Sequence, residues 1–333
     1  MLEVREAEER AAALVERARK AGADAADAVY IGDASTGVQV RLGKLEDVDR
    51  SEGEEIGLRL FVGRRFATVS SSDLSHRALG ELVERAVPMA REAPQDPYAG
   101  LAPEEMLLAG AAPDVAGDDG KDPPPLLLKE RALEMEAAAR AVEGITNSEG
   151  AMLRAGRSVV ALATSHGFAR GYSTSGYSAG VSVIAGSGGG MQRDQASHST
   201  RDFASLDAPE RLGRLAAERT LARLDPAKVP SGAMPILFDP RTSHTLVGHF
   251  LSAITGPAVT RKTSFLLDKE GERVFAEGIA VRDDPHRPRG LRSKPFDGEG
   301  LPTAPRALVA DGVLPGWLLD SASARQLGRE PTG

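Results

Sequence analysis

Residues 56–69 are Ile-Gly-Leu-Arg-Leu-Phe-Val-Gly-Arg-Arg-Phe-Ala-Thr-Val, the clearest strand pattern in the first half of the chain. Apolar residues occupy every second position from Ile56 to Val62, which is the period of a strand with one buried face. Gly63 favours a turn, and Phe66–Val69 resumes strand character. The stretch therefore predicts two neighbouring strands joined by a short turn.

Further strands and two helices surround this pair. Alternation predicts strands at Ala28–Ile31 and Val38–Leu42, with a turn at Gly32-Asp33 between them. An amphipathic helix precedes them and ends at Gly22, and a second helix begins at Ser72 or Asp73, either of which is a suitable cap. Residues 1–93 thus read as helix, four strands, helix.

The same order of elements recurs later in the chain. Residues 94–125 are rich in Pro, Gly and Asp and predict a linker. Residues 126–225 then show helical periodicity, strand-like runs near 158–164, 168–174, 177–185 and 190–197, and a final helix. The sequence predicts an N-terminal α/β domain, residues 1–225, built from duplicated helix–four-strand–helix units at 1–93 and 126–225.

The pattern changes after Asp225-Pro226. A short strand is predicted at Ile236–Phe238, and Asp239-Pro240 then provides a cap and a first-turn proline for a helix that Gly256-Pro257 stops. The remaining apolar runs are short, and Asp311-Gly312 signals a hairpin. Residues 226–333 therefore predict a mainly β second domain, and the fold class is α+β.

Composition limits the classes of function. The chain has 333 residues, 41 Lys and Arg against 48 Asp and Glu, a net charge of -7, and no cysteine. An acidic surface argues against a nucleic-acid partner, and the absence of cysteine excludes disulfides and thiolate metal sites within the chain. The acidic N-terminus leads into no apolar segment, and no long apolar run follows, so we expect a cytoplasmic protein without membrane contact.

Few side chains have a spacing suited to chemistry. His244 and His249 lie on one predicted helix, but five residues rotate the side chains by roughly 140°, whereas chelation from one helix needs a spacing of three or four. Gly186–Gly190 favours a hairpin tip over a phosphate loop, because no Lys-Ser or Lys-Thr follows. The acidic pairs Asp283-Asp284 and Asp297/Glu299 are more typical of solvated loops than of acid-base catalysis. No catalytic or metal-binding set is predicted in this chain.

A basic and hydroxylic loop follows the predicted helix stop. It runs Arg261-Lys262-Thr263-Ser264-Phe265 and leads into an apolar segment. Cations and hydroxyls in this arrangement suit contact with a peptide carboxylate or backbone. The candidate substrate-binding residues are therefore Arg261, Lys262, Ser264 and Phe265, and the alternative is a solvated connection.

Several blocks of the chain together resemble one family. The blocks in the second domain are Asp239-Pro240, Gly248-His249, residues 261–268, Asp283-Asp284-Pro285, Arg289-Gly290, residues 295–303 and residues 319–325. Those in the first domain are residues 96–101, Ser148-Glu149-Gly150, residues 167–172 and residues 190–194. With these blocks the sequence resembles the TldD/TldE (PmbA) family, on the TldE side, over nearly its whole length.

The resemblance implies a subunit of a cytosolic metallopeptidase that processes unfolded peptides. The TldD-type partner would carry a His-Glu-x-x-x-His zinc site. This chain departs from that motif: if His249 aligns with the first ligand, Phe250 replaces the glutamate and Ile254 the second histidine, and in an ungapped alignment Val247 and Ser252 fall at the histidine positions. A site needing two imidazoles and a general base then cannot form. We therefore expect a noncatalytic subunit with no cofactor of its own.

The resemblance also bears on the completeness of the second domain, and it leaves alternative assemblies and functions for the chain. Family members usually continue beyond a segment like Pro331-Thr332-Gly333, so we expect the second domain to be incomplete at its C-terminal end. The isolated chain could form a homodimer in place of the TldD-type heterodimer.

The main alternative function is a regulatory binding protein, as the family label "modulator of DNA gyrase" suggests. A third reading, an independent serine or acid-base hydrolase, rests only on scattered polar residues.

Overall fold

The computed structural model describes all residues from Met1 to Gly333. Its first half begins with a helix, three strands and a helix, namely α1 (Val4–Lys20), β1 (Ala25–Arg41), β2 (Lys44–Val62), β3 (Arg65–Ser71) and α2 (His76–Glu92). The order is repeated by α3 (Pro125–Arg140), β4 (Ile145–Thr164), β5 (Ala169–Ala185), β6 (Gln192–Thr200) and α4 (Pro209–Leu221). The hairpin of β2 and β3 confirms the pair predicted from residues 56–69.

The six strands form one antiparallel sheet in the order β3-β2-β1-β4-β5-β6. The two groups of strands meet where β1 pairs with β4, in a register that runs from Asp27 opposite Thr164 to Val40 opposite Ala151. Because side chains alternate between the faces of a strand, each face of this sheet can be read from the register.

All four helices cover the same face of the sheet. Even-numbered residues of β1, such as Tyr30 and Val38, are buried there. A cluster of 23 buried residues joins α1 and α2 to the β1–β3 side, and a cluster of 17 joins α3 and α4 to the β4–β6 side. We call the opposite face, which carries the odd-numbered residues of β1, the open face.

Each group contains three strands, so the prediction of four was wrong. The two short strands predicted before and after Gly32-Asp33 are one continuous strand, β1, because β2 and β4 pair with it on both sides at these residues. Gly32 therefore lies within a strand and not in a turn. Glycine is required there because a Cβ would lie 2.5 Å from the Tyr30 hydroxyl. In the second group the runs 168–174 and 177–185 likewise merge into β5. Shared ancestry of the two units stays a prediction.

The predicted linker, residues 94–125, is irregular but packed. Leu101, Ala102 and Val115 are buried. The backbone carbonyl of Gly117 accepts from the Ser175 N–H at the edge of β5. The segment therefore lies against the sheet and connects it to the C-terminal residues.

Residues 226–333 contain more helix than strand, so the prediction of a mainly β domain was wrong. The elements are α5 (Pro240–Ala253), α6 (Gly256–Thr260), β7 (Val281–Asp283), β8 (Arg306–Val309) and α7 (Ser321–Leu327). Ile236–Phe238 forms no strand and is exposed, because no neighbouring strand is present to pair with it. The tight turn at Asp311-Gly312 is confirmed by reciprocal backbone hydrogen bonds between Ala310 and Val313.

The C-terminal residues cover one end of the open face. Phe296 contacts Phe168 and Tyr172 edge to face, with ring centroids 5.1 Å and 5.4 Å apart. The rest of the C-terminal core is a separate cluster of 11 buried residues around Ile254, Leu314 and Trp317. None of the helices combines the length and the apolar character required to cross a lipid bilayer.

Candidate functional site

Helix α5 is positioned by its N-terminal cap and by the burial of its last turn. The Asp239 carboxylate accepts the backbone N–H of Arg241 at 2.8 Å, as expected for an N-cap residue before a first-turn proline. At the other end Phe250 and Ile254 enter the C-terminal core with exposures of 5% and 0%. The predicted stop at Gly256-Pro257 instead begins α6, which follows α5 after two residues.

The histidines of α5 do not meet. His244 and His249 are both exposed, and helical geometry directs them to different sides of the helix. No group of three or more His, Asp or Glu side chains lies close enough to hold a metal ion. His249, Phe250 and Ile254 together provide one imidazole and two apolar side chains, whereas a His-Glu-x-x-x-His site uses two imidazoles and a carboxylate.

The four predicted substrate-binding residues lie in one tight loop after α6. Lys262 adopts a left-handed backbone conformation with φ of 58°. The next two backbone N–H groups, of Thr263 and Ser264, both donate to the Ala258 carbonyl and close the turn. The loop is thus fixed by its own backbone.

Only three of those four side chains reach solvent. Arg261 and Lys262 are exposed and form no ion pair, and Phe265 is 73% exposed. Ser264 is buried, and its hydroxyl accepts the Leu266 N–H at 2.9 Å. Its role is therefore to shape the loop, while Arg261, Lys262 and Phe265 are available to a ligand.

Sequence reasoning did not identify a second candidate, a cleft of about 430 Å³ on the uncovered part of the open face. Its lining combines small and hydroxylic residues of β1, β4, β5 and β6 with Leu291 and with charged residues, namely Asp33, Arg154, Arg157 and Arg201. Arg201 donates to the carbonyls of Ser175 and Leu291 at 2.9 Å and 2.7 Å. Burial lowers its pKa, and no carboxylate pairs with it. No local pattern in the sequence indicates this cleft, because its lining comes from four strands whose register brings them together.

An acidic residue beside this cleft joins three parts of the chain. The Asp202 carboxylate accepts from the Ser205 hydroxyl at 2.7 Å, Lys121 Nζ at 3.2 Å and Arg289 Nη1 at 3.0 Å. The Ser205 hydroxyl, followed by the Lys121 ammonium, lowers the pKa of Asp202 to about 2. This cluster holds the connecting segment and the C-terminal loop on the sheet, which is a structural role.

The paired acids of the C-terminal half also shape turns. Asp284 accepts the His286 N–H, and Asp297 accepts the N–H groups of Glu299 and Leu301. Glu299 in turn accepts from the backbone and hydroxyl of Ser321. Asp284 and Asp297 are thus bonded within their own turns, and Glu299 is bonded to the first residue of α7.

Profiles of one family match three consecutive parts of the chain. They are described as PmbA/TldA metallopeptidase domain 1 at residues 26–90, the central domain at 118–224 and the C-terminal domain at 231–333. The metalloprotease PmbA of Escherichia coli O157:H7 is 36% identical over 93% of this chain and 69% of its own length. The PmbA homolog of Haemophilus influenzae is 35% identical over 96% of this chain and 70% of its own length.

Solved structures agree in fold. A crystal structure described as a modulator of DNA gyrase from Bacteroides thetaiotaomicron superposes with a TM-score of 0.92 at 25% identity, covering 98% of this chain and 75% of that one. TldE from Thermococcus kodakarensis superposes with a TM-score of 0.80 at 20% identity, covering 96% and 72%. By its sequence and its fold, the chain belongs to the PmbA/TldD metallopeptidase family.

Proposed function

We propose that this chain is the noncatalytic, TldE-type subunit of a cytosolic metallopeptidase complex that processes unfolded peptides. The observation that carries the proposal is the burial of two residues at the C-terminal end of α5, Phe250 in its last turn and Ile254 directly after the helix. Phe250 and Ile254, which align with the glutamate and second histidine of the zinc motif when His249 is the first ligand, are 5% and 0% exposed. A helix face that packs a core cannot also hold a solvent-accessible hydrolytic site.

A TldD-type partner would supply the zinc and its general base. This chain would supply part of the peptide-binding surface, with Arg261, Lys262 and Phe265 as the exposed contacts in the loop after α6. Unpaired cations attract peptide carboxylates, and an exposed aromatic ring adds apolar contact. In this proposal the partner carries out the hydrolysis, and this chain helps to bind the peptide.

Reconstitution tests this proposal directly. The chain and a TldD-type subunit from the same genome are purified separately and together, and cleavage of an unfolded peptide is measured with the zinc content of each sample. We expect cleavage only in the presence of the TldD-type subunit and zinc only on that subunit. One tightly bound zinc per copy of this chain, with peptidase activity of the chain alone, would disprove the noncatalytic role.

The regulatory alternative, binding to DNA gyrase, has less support. The PmbA relatives of Escherichia coli O157:H7 and Haemophilus influenzae, which match over more than nine-tenths of this chain, are named as metalloproteases. Stoichiometric recovery of gyrase with this chain, in the absence of a TldD-type subunit, would favour the alternative.

A further inference from the structure

The outer edge of β2 has no neighbouring strand along half of its length. β1 pairs with β2 from Lys44 to Phe61, whereas β3 pairs only with Ile56–Val62. All residues from Lys44 to Gly53 are exposed. Backbone N–H and C=O groups directed away from β1 are therefore free to pair with another extended chain.

The corresponding half of β5 shows a contrasting arrangement. β6 pairs with β5 only along Tyr177–Ala185, which leaves Ala169–Gly176 beyond the end of β6. There the Ser175 N–H donates to the Gly117 carbonyl at 3.0 Å, and the Ser175 hydroxyl accepts the Asp119 N–H at 3.1 Å. The connecting segment of this chain thus occupies that edge, while the matching edge of β2 is empty of any partner segment.

The free edge of β2 is strongly acidic. From Lys44 to Glu55 its only cationic side chains are Lys44 and Arg50, against the acids Glu46, Asp47, Asp49, Glu52, Glu54 and Glu55. Strand alternation places Asp47, Asp49 and Glu55 on the open face. Two copies of this edge would repel each other, because like charges on adjacent strands are unfavourable.

The opposite face of the same edge is partly apolar. Leu45 pairs with Val40 and Val48 pairs with Val38, yet Leu45 and Val48 remain 46% and 48% exposed. Beyond Val48 the same face carries Arg50, Glu52 and Glu54. A strand added along Leu45–Asp49 would therefore place alternate side chains beside carboxylates and beside aliphatic groups. Basic residues suit the first positions and apolar residues the second.

We infer that residues 44–55 of β2 bind an extended, basic segment of an unfolded peptide substrate by adding it to the sheet as a strand. The assignment of that segment to a substrate rests on the proposed function. Main-chain hydrogen bonds make such binding tolerant of sequence, which suits unfolded chains, and the acidic row selects for Lys and Arg.

A peptide-based test leaves the protein unchanged. Fluorescence anisotropy measures binding of the purified chain to a labelled peptide that alternates Lys or Arg with Val or Thr. We expect binding to weaken about tenfold or more when alternate backbone nitrogens on one edge of the peptide are methylated, because methylation removes donors at constant charge. Equal affinity of the methylated peptide, equal affinity of a Glu-substituted peptide, or no binding would overturn the inference.

Protein variants locate the site. Asp47 and Glu55 are exposed and form no ion pair, so Asp47→Asn with Glu55→Gln changes charge without removing a structural contact. We expect this double variant to weaken binding, and peptide to protect the amides of residues 44–55 from hydrogen exchange. The matched control is Glu84→Gln with Glu92→Gln on exposed positions of α2. Equal weakening in the control, or protection confined to other residues, would contradict the assignment.

This binding experiment needs neither cleavage nor a partner subunit. Peptide binding at β2 without cleavage by the reconstituted complex would reject the proposed function and keep the strand-addition site. Cleavage without binding at β2 would reject the site alone.

Discussion

Arg261 and Lys262 are adjacent exposed cations whose charges no carboxylate of the chain neutralises. If they contact substrate, replacing both by Ala removes a charge-assisted interaction worth about 1.5–3 kcal/mol, and 1.4 kcal/mol is a factor of about ten. We expect the KM of the reconstituted complex for an unfolded peptide to rise about tenfold or more, with the zinc content of the partner unchanged. Steady-state kinetics and metal analysis measure both quantities.

A double variant at Arg85 and Lys228 removes the same charge from exposed positions elsewhere and serves as the control. We expect its KM to equal that of the unaltered complex. If Arg261→Ala with Lys262→Ala also leaves KM unchanged while the subunits still assemble, the loop is only a solvated connection.

Asp202 gives the protein a pH-dependent contribution to stability. Its pKa is about 2 in the folded chain against an ordinary 3.8, so the folded state favours the carboxylate. The stabilisation is complete above the ordinary pKa and is lost as the pH falls through about 2. We expect Asp202→Asn to lower the unfolding midpoint near neutral pH, and the gap from the unaltered protein to shrink between about pH 4 and pH 2.

Thermal unfolding followed at several pH values measures this gap. Asp122→Asn is a suitable control because Asp122 is exposed and makes no ion pair. A gap that stays constant down to pH 2 would show that the Asp202 carboxylate is not the group responsible.

At the scale of elements, α3 and α4 pack closely because Gly213 has no side chain. A Cβ there would lie 2.4 Å from the Met135 carbonyl oxygen and 2.8 Å from the Ala138 Cβ. Gly213→Ala should therefore destabilise the fold by about 1–3 kcal/mol through overpacking. Chemical denaturation gives this difference in the free energy of unfolding.

Gly248 on α5 is the control for Gly213, because it is a helical glycine without close neighbours. A Cβ at Gly248 meets nothing within 4 Å, so Gly248→Ala should stabilise the chain by about 0.5–1 kcal/mol through helix propensity. Destabilisation by both substitutions to the same extent would refute the role assigned to close packing at Gly213.

The helices and strands of residues 1–225 were largely predictable from the sequence, because each of them buries one face and its apolar residues recur with the period of that face. Spacings of three and four predict one apolar face for α1, and five residues of that face are buried, namely Ala7, Ala11, Leu14, Val15 and Ala18. Val4, at the start of the same face, is half-buried. The single strand β1 was not predictable from Gly32-Asp33, because pairing on both sides overrides a local turn signal. The candidate cleft on the open face could not be predicted either, since it depends on the register of four strands.

In the whole molecule, Arg325 joins the C-terminal region to the connecting segment. Its guanidinium donates to the carbonyls of Tyr98, Gly100 and Leu101 at 2.7, 2.9 and 3.0 Å. Arg325→Ala leaves these acceptors without their partner, at a cost of about 1–3 kcal/mol. We expect the segment around residues 94–108 to become about tenfold more sensitive to limited proteolysis.

Arg292→Ala is the control, because Arg292 is an exposed cation of the same region without an ion pair. Cleavage of both variants at the rate of the unaltered chain would show that Arg325 does not hold the segment. No sequence pattern indicated this contact, since it joins residues more than two hundred positions apart.

The C-terminal region shows where sequence reasoning fails. Short apolar runs such as Ile236–Phe238 resemble strands in sequence, but a strand is stable only beside a neighbouring strand. Leu237 is 99% exposed, because no strand pairs with this segment. Caps and tight turns were predictable in the same region, because Asp239-Pro240 and Asp311-Gly312 act through local geometry. The proposed role of the chain therefore depends on packing around α5 rather than on any motif present.

The pairing of β1 with β4 has a consequence for synthesis of the protein. Asp27 of β1 cannot pair until Thr164 of β4 has been synthesised. Because ribosomes add about 5–20 residues per second, on the order of ten seconds pass between the emergence of the two strands. During that interval the nascent first group of elements presents the inner edge of β1 to other nascent chains and to chaperones. The time needed to translate the residues between β1 and β4, rather than the stability of the finished fold, governs how long the inner edge of β1 is open to misassembly.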